Sequence, residues 1–295
     1  MSDARVAMLV SRVRVEEKLI LEAFARRRVE VELVDVRALM IDTNRPAPAW
    51  DVVLDRCVQH SHALAALRLL EDRGVLTVNA HRVVANCADK VVTTSLLAAA
   101  GVPVPRTVVA FSVDAALAAI ESVGYPAVVK PPIGSWGRLL ARVNDRDAAE
   151  ALLDHKVTLG SVAHQVFYVQ EHVAKPGRDI RAFVAGGEAV CAIDRISDHW
   201  ITNTAKGATT RNRPVTAAIA DVTLRAAAAV GGGVLAVDLL EDGDRLLVSE
   251  VNHTMEFRNS VAVTGVDIAE RIVAHTLDAA RRVVGQREAL RAVSA

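Results

Sequence analysis

The stretch SEVNHTMEFRNS, residues 249–260, leaves an apolar strand and turns into Glu250, Asn252, His253, Thr254, Glu256, Arg258 and Asn259. Glu250 and Asn252 are two apart on a strand, so they share one face. Asp238 lies on the preceding strand, VLAVDLL, across a turn at Asp242-Gly243. A plain two-residue turn there would put Asp238 on the opposite face, so joining the three predicts an odd-length loop or a bulge. Two carboxylates and an amide oxygen suit magnesium, which takes hard oxygen ligands and leaves its other positions to phosphates and water. The alternative is the polar, solvent-facing side of a strand.

The segment KPPIGSWGRLL ends a buried strand at Lys130 and continues into Gly134, Ser135, Trp136, Gly137 and Arg138. Glycines let backbone N–H groups approach an anion, and a hydroxyl and two cations lie beside them. No GK[ST] opens a helix, so this is not a Walker loop, and a surface hairpin turn is the competing reading. Lys90, in NCADKVVTTS, is by itself a solvated helix lysine; paired with Lys130 it can hold a polyphosphate. In VQEHVAKPGRDIR, Glu171 and Val173 offer backbone groups to an adenine edge and Asp179 a carboxylate to a ribose; a charged turn would look the same. Asn203 in HWITNTAKG can reach a metal or a phosphate, and Arg195 can clasp a carboxylate in two places or simply face water. Lys206, Arg211 and Arg213 fall in one Gly/Thr-rich loop, either solvated or a docking patch.

These residues need elements to hold them. VAMLV, VEVELVDV, DVVLDRC and LTVN read as strands alternating with the helical stretches VEEKLILEAFARR and HALAALRLLEDRG. That rhythm predicts a parallel sheet with helices on its faces, ending near Asn86. A helix over 88–100 stops at Gly101, VDAALAAIESVG is another, and YPAVVKPP is a strand. The later strands FYVQEHV, DIRAFVAGG, AVCAIDRI, VLAVDLL and RLLVSEVN predict a mostly antiparallel sheet with helices against it. The fold class is therefore α/β with an α+β second part.

A chain of 295 residues, 52% of them hydrophobic, supports two or three lobes. No apolar run reaches a bilayer's span and the N-terminus has no export-signal pattern, so no membrane partner and a cytoplasmic location are expected. Cys57, Cys87 and Cys191 are widely separated, which fits reduced thiols and neither a disulfide frame nor a zinc site. A formal net charge of zero gives no nucleic-acid signature.

In order along the chain, Lys90, Lys130 with GSWGR, the QEHV hinge, DIRAFV, Asp238 and Glu250-x-Asn252 resemble the ATP-grasp superfamily. KPPIGSWGR, HWITNTAKG, EVNHTMEFRNS and TGVDI look like the LysX family within it, from the first strand to about residue 285. The resemblance implies an ATP-grasp fold of three lobes, residues 1–86, 87–168 and 169–295, with ATP between the last two. By position, Lys90 and Lys130 would bind phosphates under the loop Gly134–Arg138, and Gln170, Glu171, His172 and Val173 would frame adenine. Asp238, Glu250 and Asn252 would hold magnesium, two ions in such sites. Arg195, Thr204, Ala205, Glu256, Phe257, Arg258, Asn259 and Ser260 would contact an amino acid, and Lys130, Arg195 and Asn203 would serve the chemistry. His253 is expected to be structural.

The implied reaction phosphorylates the γ-carboxyl of the C-terminal glutamate of an acidic, LysW-type amino-group carrier protein; the amino group of α-aminoadipate then displaces phosphate, in lysine biosynthesis. Relatives that use glutamate, in arginine biosynthesis, carry Gly-Phe at the positions of Asn259-Ser260. A modified amino acid in secondary metabolism, a RimK-like addition of glutamate to a peptide, and a nucleotide-binding module without catalysis are the alternatives. The resemblance also implies a homo-oligomer, dimer or tetramer.

Overall fold

A computed structural model describes residues 4–46, 48–134, 138–160 and 165–294, with side chains to residue 285. The first lobe contains β1 (Val6–Val10), α1 (Val15–Arg26), β2 (Val31–Asp35), β3 (Val52–Arg56), α2 (His60–Glu71) and β4 (Leu76–Val78). All strand pairs are parallel, in the order β2-β1-β3-β4. The two inner strands, β1 and β3, are buried along their whole length, as expected where helices cover both faces. α1 buries Ile20, Ala23 and Phe24, and α2 buries Ala63, Ala66, Leu67 and Leu70.

The helix expected over 88–100 is α4 (Lys90–Ala99), and a further helix, α3 (His81–Ala88), precedes it, the two separated at Asp89. Asp89 leaves the helical region to cap α4, its carboxylate accepting from the Val91 N–H at 2.8 Å. This is the usual way a short acidic side chain satisfies an orphan helix donor. It also places Lys90 on the first turn.

The central lobe is a sheet of β5 (Thr107–Ala110), β6 (Ala127–Lys130), β7 (Ala141–Val143) and β8 (Phe167–Glu171), ordered β5-β8-β6-β7 and antiparallel throughout. α5 (Val113–Val123) and α6 (Arg146–Leu159) pack Ala116, Ala119, Ile120, Ala149 and Leu153 against it. All of β8 belongs to this sheet, so it crosses the boundary expected at 168/169.

The last lobe holds β9 (Arg178–Ala185), β10 (Glu188–Ile196), β11 (Thr209–Arg213), α7 (Ala217–Val230), β12 (Val234–Asp242), β13 (Arg245–Asn252), α8 (Arg258–Thr264) and α9 (Ile268–Ser294). Its sheet is antiparallel, in the order β11-β10-β9-β12-β13. The residues of 209–213 form an edge strand rather than the loop expected. Alternation assigns the two faces. Ile180, Ala182, Val184, Leu235, Val237 and Leu239 bury against α7. Phe183, Cys191, Ile193, Val234 and Ala236 point the other way, into one core with Met8, Val10, Ile20 and Phe24 of the first lobe and Ile272 and Val273 of α9. Burying each of the larger side chains contributes roughly 2 kcal/mol. The first and last lobes are thus joined by continuous apolar packing. No helix among the described residues is long and apolar enough to cross a membrane.

Candidate active site

β12 and β13 close through a two-residue turn at Gly243-Asp244, Asp242 pairing with Arg245. Without a further irregularity Asp238 would lie opposite Ser249. The register instead shifts between Asp238 and Leu239, which pair with Glu250 and Val248. Ser249 is the extra residue of a bulge, the second of the two devices that the sequence called for. Asp238 therefore faces the same side as Glu250, and Ala236 opposite Asn252 continues that face.

In the cleft between the central and last lobes, three lysines converge. Lys130, at the buried end of β6, donates to Gln170 Oε1 at 2.7 Å. Lys90 donates to the Gly134 carbonyl at 2.7 Å and lies 3.1 Å from Glu250. Lys175 donates to Thr202 at 2.6 Å, with Asp179 at 3.7 Å. Burial, with repulsion from Lys90 and Lys175, lowers Lys130 to about 8 despite the attraction of Glu250. Burial also lowers Lys175. Cations held at such a cost make a strong anion site. Gln170, Glu171, His172 and Val173 line this cleft, and Trp200 lines it too, its ring 6.3 Å from that of His172. The Glu171 carboxylate is tied to the Arg106 N–H at 2.7 Å. Ser135, Trp136 and Gly137, expected to cover the phosphates, lie outside the described residues.

The floor of the cleft is a buried ion-pair block. Arg195 donates through Nε and Nη2 to both oxygens of Asp179, at 2.6 and 2.8 Å, and its Nη2 is 3.1 Å from Asp238. Arg181 grips Asp238 in the same forked way, at 2.7 and 2.8 Å. Although burial alone would raise it, Asp238 is held well below the usual carboxylate range by Arg181 and Arg195. Arg195 Nη1 is buried without a hydrogen-bond partner. Asp179, expected to reach a ribose, is committed to Arg195 and Thr202 instead. The reason is register: Asp179 lies directly across from Arg195 on β10.

Arg195 also lines a second cavity of about 430 Å³, with Arg12, Arg138, Arg181, Lys206 and Arg258. Ile193, Thr204, Ala205, Glu256, Asn259 and Ser260 complete its wall. Arg138, expected over the phosphates, is on this wall. Phe257 is not: it is fully buried in the core shared with the first lobe, because Met255 and Phe257 turn inward while Glu256 and Arg258 turn to the cavity. Asn203 lies where the lysine-lined cleft meets another hollow, lined by Glu250, Asn252 and His253, and its Oδ1 accepts from the Ala205 N–H at 2.9 Å. His253 is largely enclosed, and desolvation lowers it to about 3, with His60 at 3.2 Å and Thr254 at 2.9 Å.

Glu250, Asn252 and Asp238 are the oxygen donors on this face that could hold a hard cation. The Asn252 amide has a buried nitrogen without a partner. A half-turn of that amide presents its oxygen in the same place. Glu250 opens to the cleft. Asp238 would join them by exchanging one guanidinium contact. Oxygen donors of this kind suit magnesium, and Asp238, gripped by Arg181 and Arg195, would have to rearrange to join them. No group of three His, Cys, Asp or Glu suited to a metal occurs among the described residues.

Sequence reading passed over Lys175, Arg181, Trp200 and Arg12. Arg181 had a signal, since it is two residues from Asp179 and shares its strand face. Trp200 stands inside HWITNTAKG without a periodic cue, and Lys175 and Arg12 are in loops that only the fold brings in. Arg211 and Arg213 form no open basic patch: they pair with Asp194, and Arg213 also with Glu241.

Residues 87–276 match the RimK-like ATP-grasp domain and residues 6–86 the LysX preATP-grasp domain. The glutamate–LysW ligase ArgX of Sulfolobus acidocaldarius is 34% identical over 274 residues, 92% of this chain and 97% of the relative. The α-aminoadipate–LysW ligase LysX of Sulfurisphaera tokodaii is 35% identical over 234 residues, 79% of this chain and 82% of the relative. Among solved structures, the RimK domain protein ATP-grasp from Sphaerobacter thermophilus superposes with a TM-score of 0.80 at 32% identity, covering 93% of this chain and all of that one. The chain belongs to the RimK-like ATP-grasp family of ATP-dependent ligases, with a LysX-type domain ahead of it.

Proposed function

We propose that this ligase joins the amino group of α-aminoadipate to the γ-carboxyl of the C-terminal glutamate of a LysW-type carrier protein, through an acyl phosphate. The observation that carries the reading is Arg195 Nη1, buried and unpartnered, at the junction of the lysine-lined cleft and the cation-lined cavity. A carboxylate arriving from the cavity would meet that donor beside the phosphate-binding lysines. Five arginines and one lysine on the cavity wall, against the single carboxylate of Glu256, suit substrates with more than one carboxylate. Glu256 in turn suits an α-ammonium.

Lys90, Lys130 and Lys175 would neutralise the phosphates and hold the terminal one toward the carboxylate, and Asn203 would reach it from the neighbouring hollow. Glu250 and Asn252, with Asp238, would hold magnesium, read as two ions, which supplies positive charge to the transferring group. Arg195 would steady the carboxyl oxygen on which charge develops. The carboxylate gains the phosphoryl group and ADP leaves; the ammonium gives up a proton to solvent, the free amine attacks the carbonyl, the C–O bond to phosphate breaks with the electron pair leaving on phosphate, and the nitrogen loses a second proton to give the amide. Aminoadipate is preferred over glutamate because Ser260 is small and fully buried at the cavity wall, leaving room for one more methylene than a bulkier residue would.

The test is phosphate release from magnesium–ATP with the purified protein, the carrier and either amino acid. Release that requires both carrier and aminoadipate supports the proposal. Release with glutamate alone would reassign the amino acid. Release that needs no carrier would remove the carrier from the reaction.

A further inference from the structure

The segment that walls the substrate cavity is held residue by residue from the first lobe. The Asn79 amide donates to the His253 carbonyl at 2.8 Å and clamps Val234 through both its carbonyl and its N–H, at 2.7 and 2.6 Å. Gly233 beside it, at φ +106, must lack a side chain, since a Cβ would come within 2.1 Å of Asn79 Oδ1. Arg14 is 3.1 Å from Glu256, and Glu16 accepts from the Arg258 N–H at 3.3 Å. At the centre, Arg56 is 1% exposed and donates through Nη2 to the Met255 carbonyl at 3.0 Å and through Nε to Glu17, also at 3.0 Å. Glu17, fully buried on α1, is held on its other side by Arg14.

This arrangement is more than lobe packing. Met255 and Phe257 already supply the apolar anchor. A buried charge is costly to keep where apolar contact would do. What Arg56 adds is direction. Its planar fork links a carboxylate on α1 to one backbone carbonyl, and that carbonyl precedes Glu256 and Arg258, which face the cavity. We propose that Arg56 is a positioning residue for the amino-acid cavity: with Glu17 it sets the path of the backbone at Met255, and so the placement of Glu256, Arg258 and Asn259. This rests on the assignment of that cavity to the amino acid. The first lobe would then tune substrate recognition without its sheet touching the substrate.

The experiment is Arg56→Met in the full chain, with Arg56→Lys as the milder variant. Arg14 keeps Glu17 paired in both. Peptide-level hydrogen exchange over residues 253–260 and 167–175, nucleotide affinity, and the KM for each substrate are measured beside thermal stability. In Arg56→Met, exchange over 253–260 and the amino-acid KM rise about tenfold, the equivalent of one charged hydrogen bond. Exchange over 167–175 and nucleotide affinity stay unchanged, and Arg56→Lys falls between. Unchanged exchange over 253–260 in a folded variant overturns the proposal. So does a loss shared equally by the nucleotide cleft, which would mean general destabilisation. If Arg56→Met does not fold, Arg56→Lys with wild-type exchange and amino-acid KM overturns it. If the wild-type protein shows no ligase turnover, the function proposed above is refuted, while exchange and nucleotide binding still decide the role of Arg56.

Discussion

Two ion-pair clusters lie back to back at the same end of the last sheet, and only one belongs to the site. In front, Asp179, Arg181, Arg195 and Asp238 have side chains between 4% and 12% exposed. Behind, Asp194 and Glu241 take Arg178, Arg211 and Arg213, whose side chains are 26% to 62% exposed. Consecutive residues feed opposite clusters, Arg178 the rear and Asp179 the front, because a strand alternates its faces. The charges are similar; the settings are not. Each cluster leaves one buried atom without a hydrogen-bond partner, Arg195 Nη1 in front and the acceptor Asp194 Oδ1 behind, but the front cluster lines two cavities while the rear residues line none of the cavities described above. Ionic composition thus identifies neither cluster as functional. An unspent donor at a cavity does.

The contrast can be broken most severely at Arg195. Arg195→Met is expected to lower turnover roughly a hundred- to a thousandfold, as loss of a donor to developing charge does. It should also cost about 3 kcal/mol of stability by leaving Asp179 and Asp238 short of a partner. Phosphate release and denaturant unfolding read the two effects separately. Wild-type turnover in a folded Arg195→Met would end the distinction between the clusters.

The next effect is on pH. Lys130 loses its proton as pH rises through about 8. An anion favours the charged form, so the bound protein keeps the proton to higher pH than the free one. Nucleotide affinity should therefore fall with rising pH above 8, by up to about tenfold per unit. Affinities measured across that range test it, and Lys130→Arg should flatten the profile. Smaller again, Trp200→Ala is expected to weaken nucleotide binding roughly five- to tenfold through loss of an aromatic wall. Nucleotide should also change the intrinsic fluorescence of the wild type more than that of the variant. The smallest effect belongs to the rear cluster: Arg213→Ala should cost about 1 kcal/mol and leave turnover unchanged, because Arg178 still holds Glu241 and Arg211 still holds Asp194. A thermal melt beside a phosphate-release assay suffices.

Residue order and strand parity made much of this legible in the sequence. Glu250 and Asn252 sharing a face follows from spacing alone, and the need for a bulge to bring Asp238 to them follows from turn parity. Spacing does not say what a charged side chain will meet across the sheet. Asp179 looked open to a ribose because its partner, Arg195, is sixteen residues away on the next strand. Phe257 was expected at the cavity only as part of the run Glu256–Ser260 that the resemblance implies; the chain leaves strand geometry after Asn252, and which side chains turn inward there is set by the core of the first lobe. Lys175 and Arg12 come from loops whose destinations depend on tertiary packing.

The central claim is that one amino acid is joined to a carrier at the Arg195 junction. Its most direct test is the intact mass of a LysW-type carrier after incubation with the protein, magnesium–ATP and α-aminoadipate. The account predicts a carrier heavier by a single aminoadipate residue, and an unchanged carrier with Arg195→Met. A carrier of unchanged mass while ATP is consumed, or one bearing a run of several added residues, would contradict it.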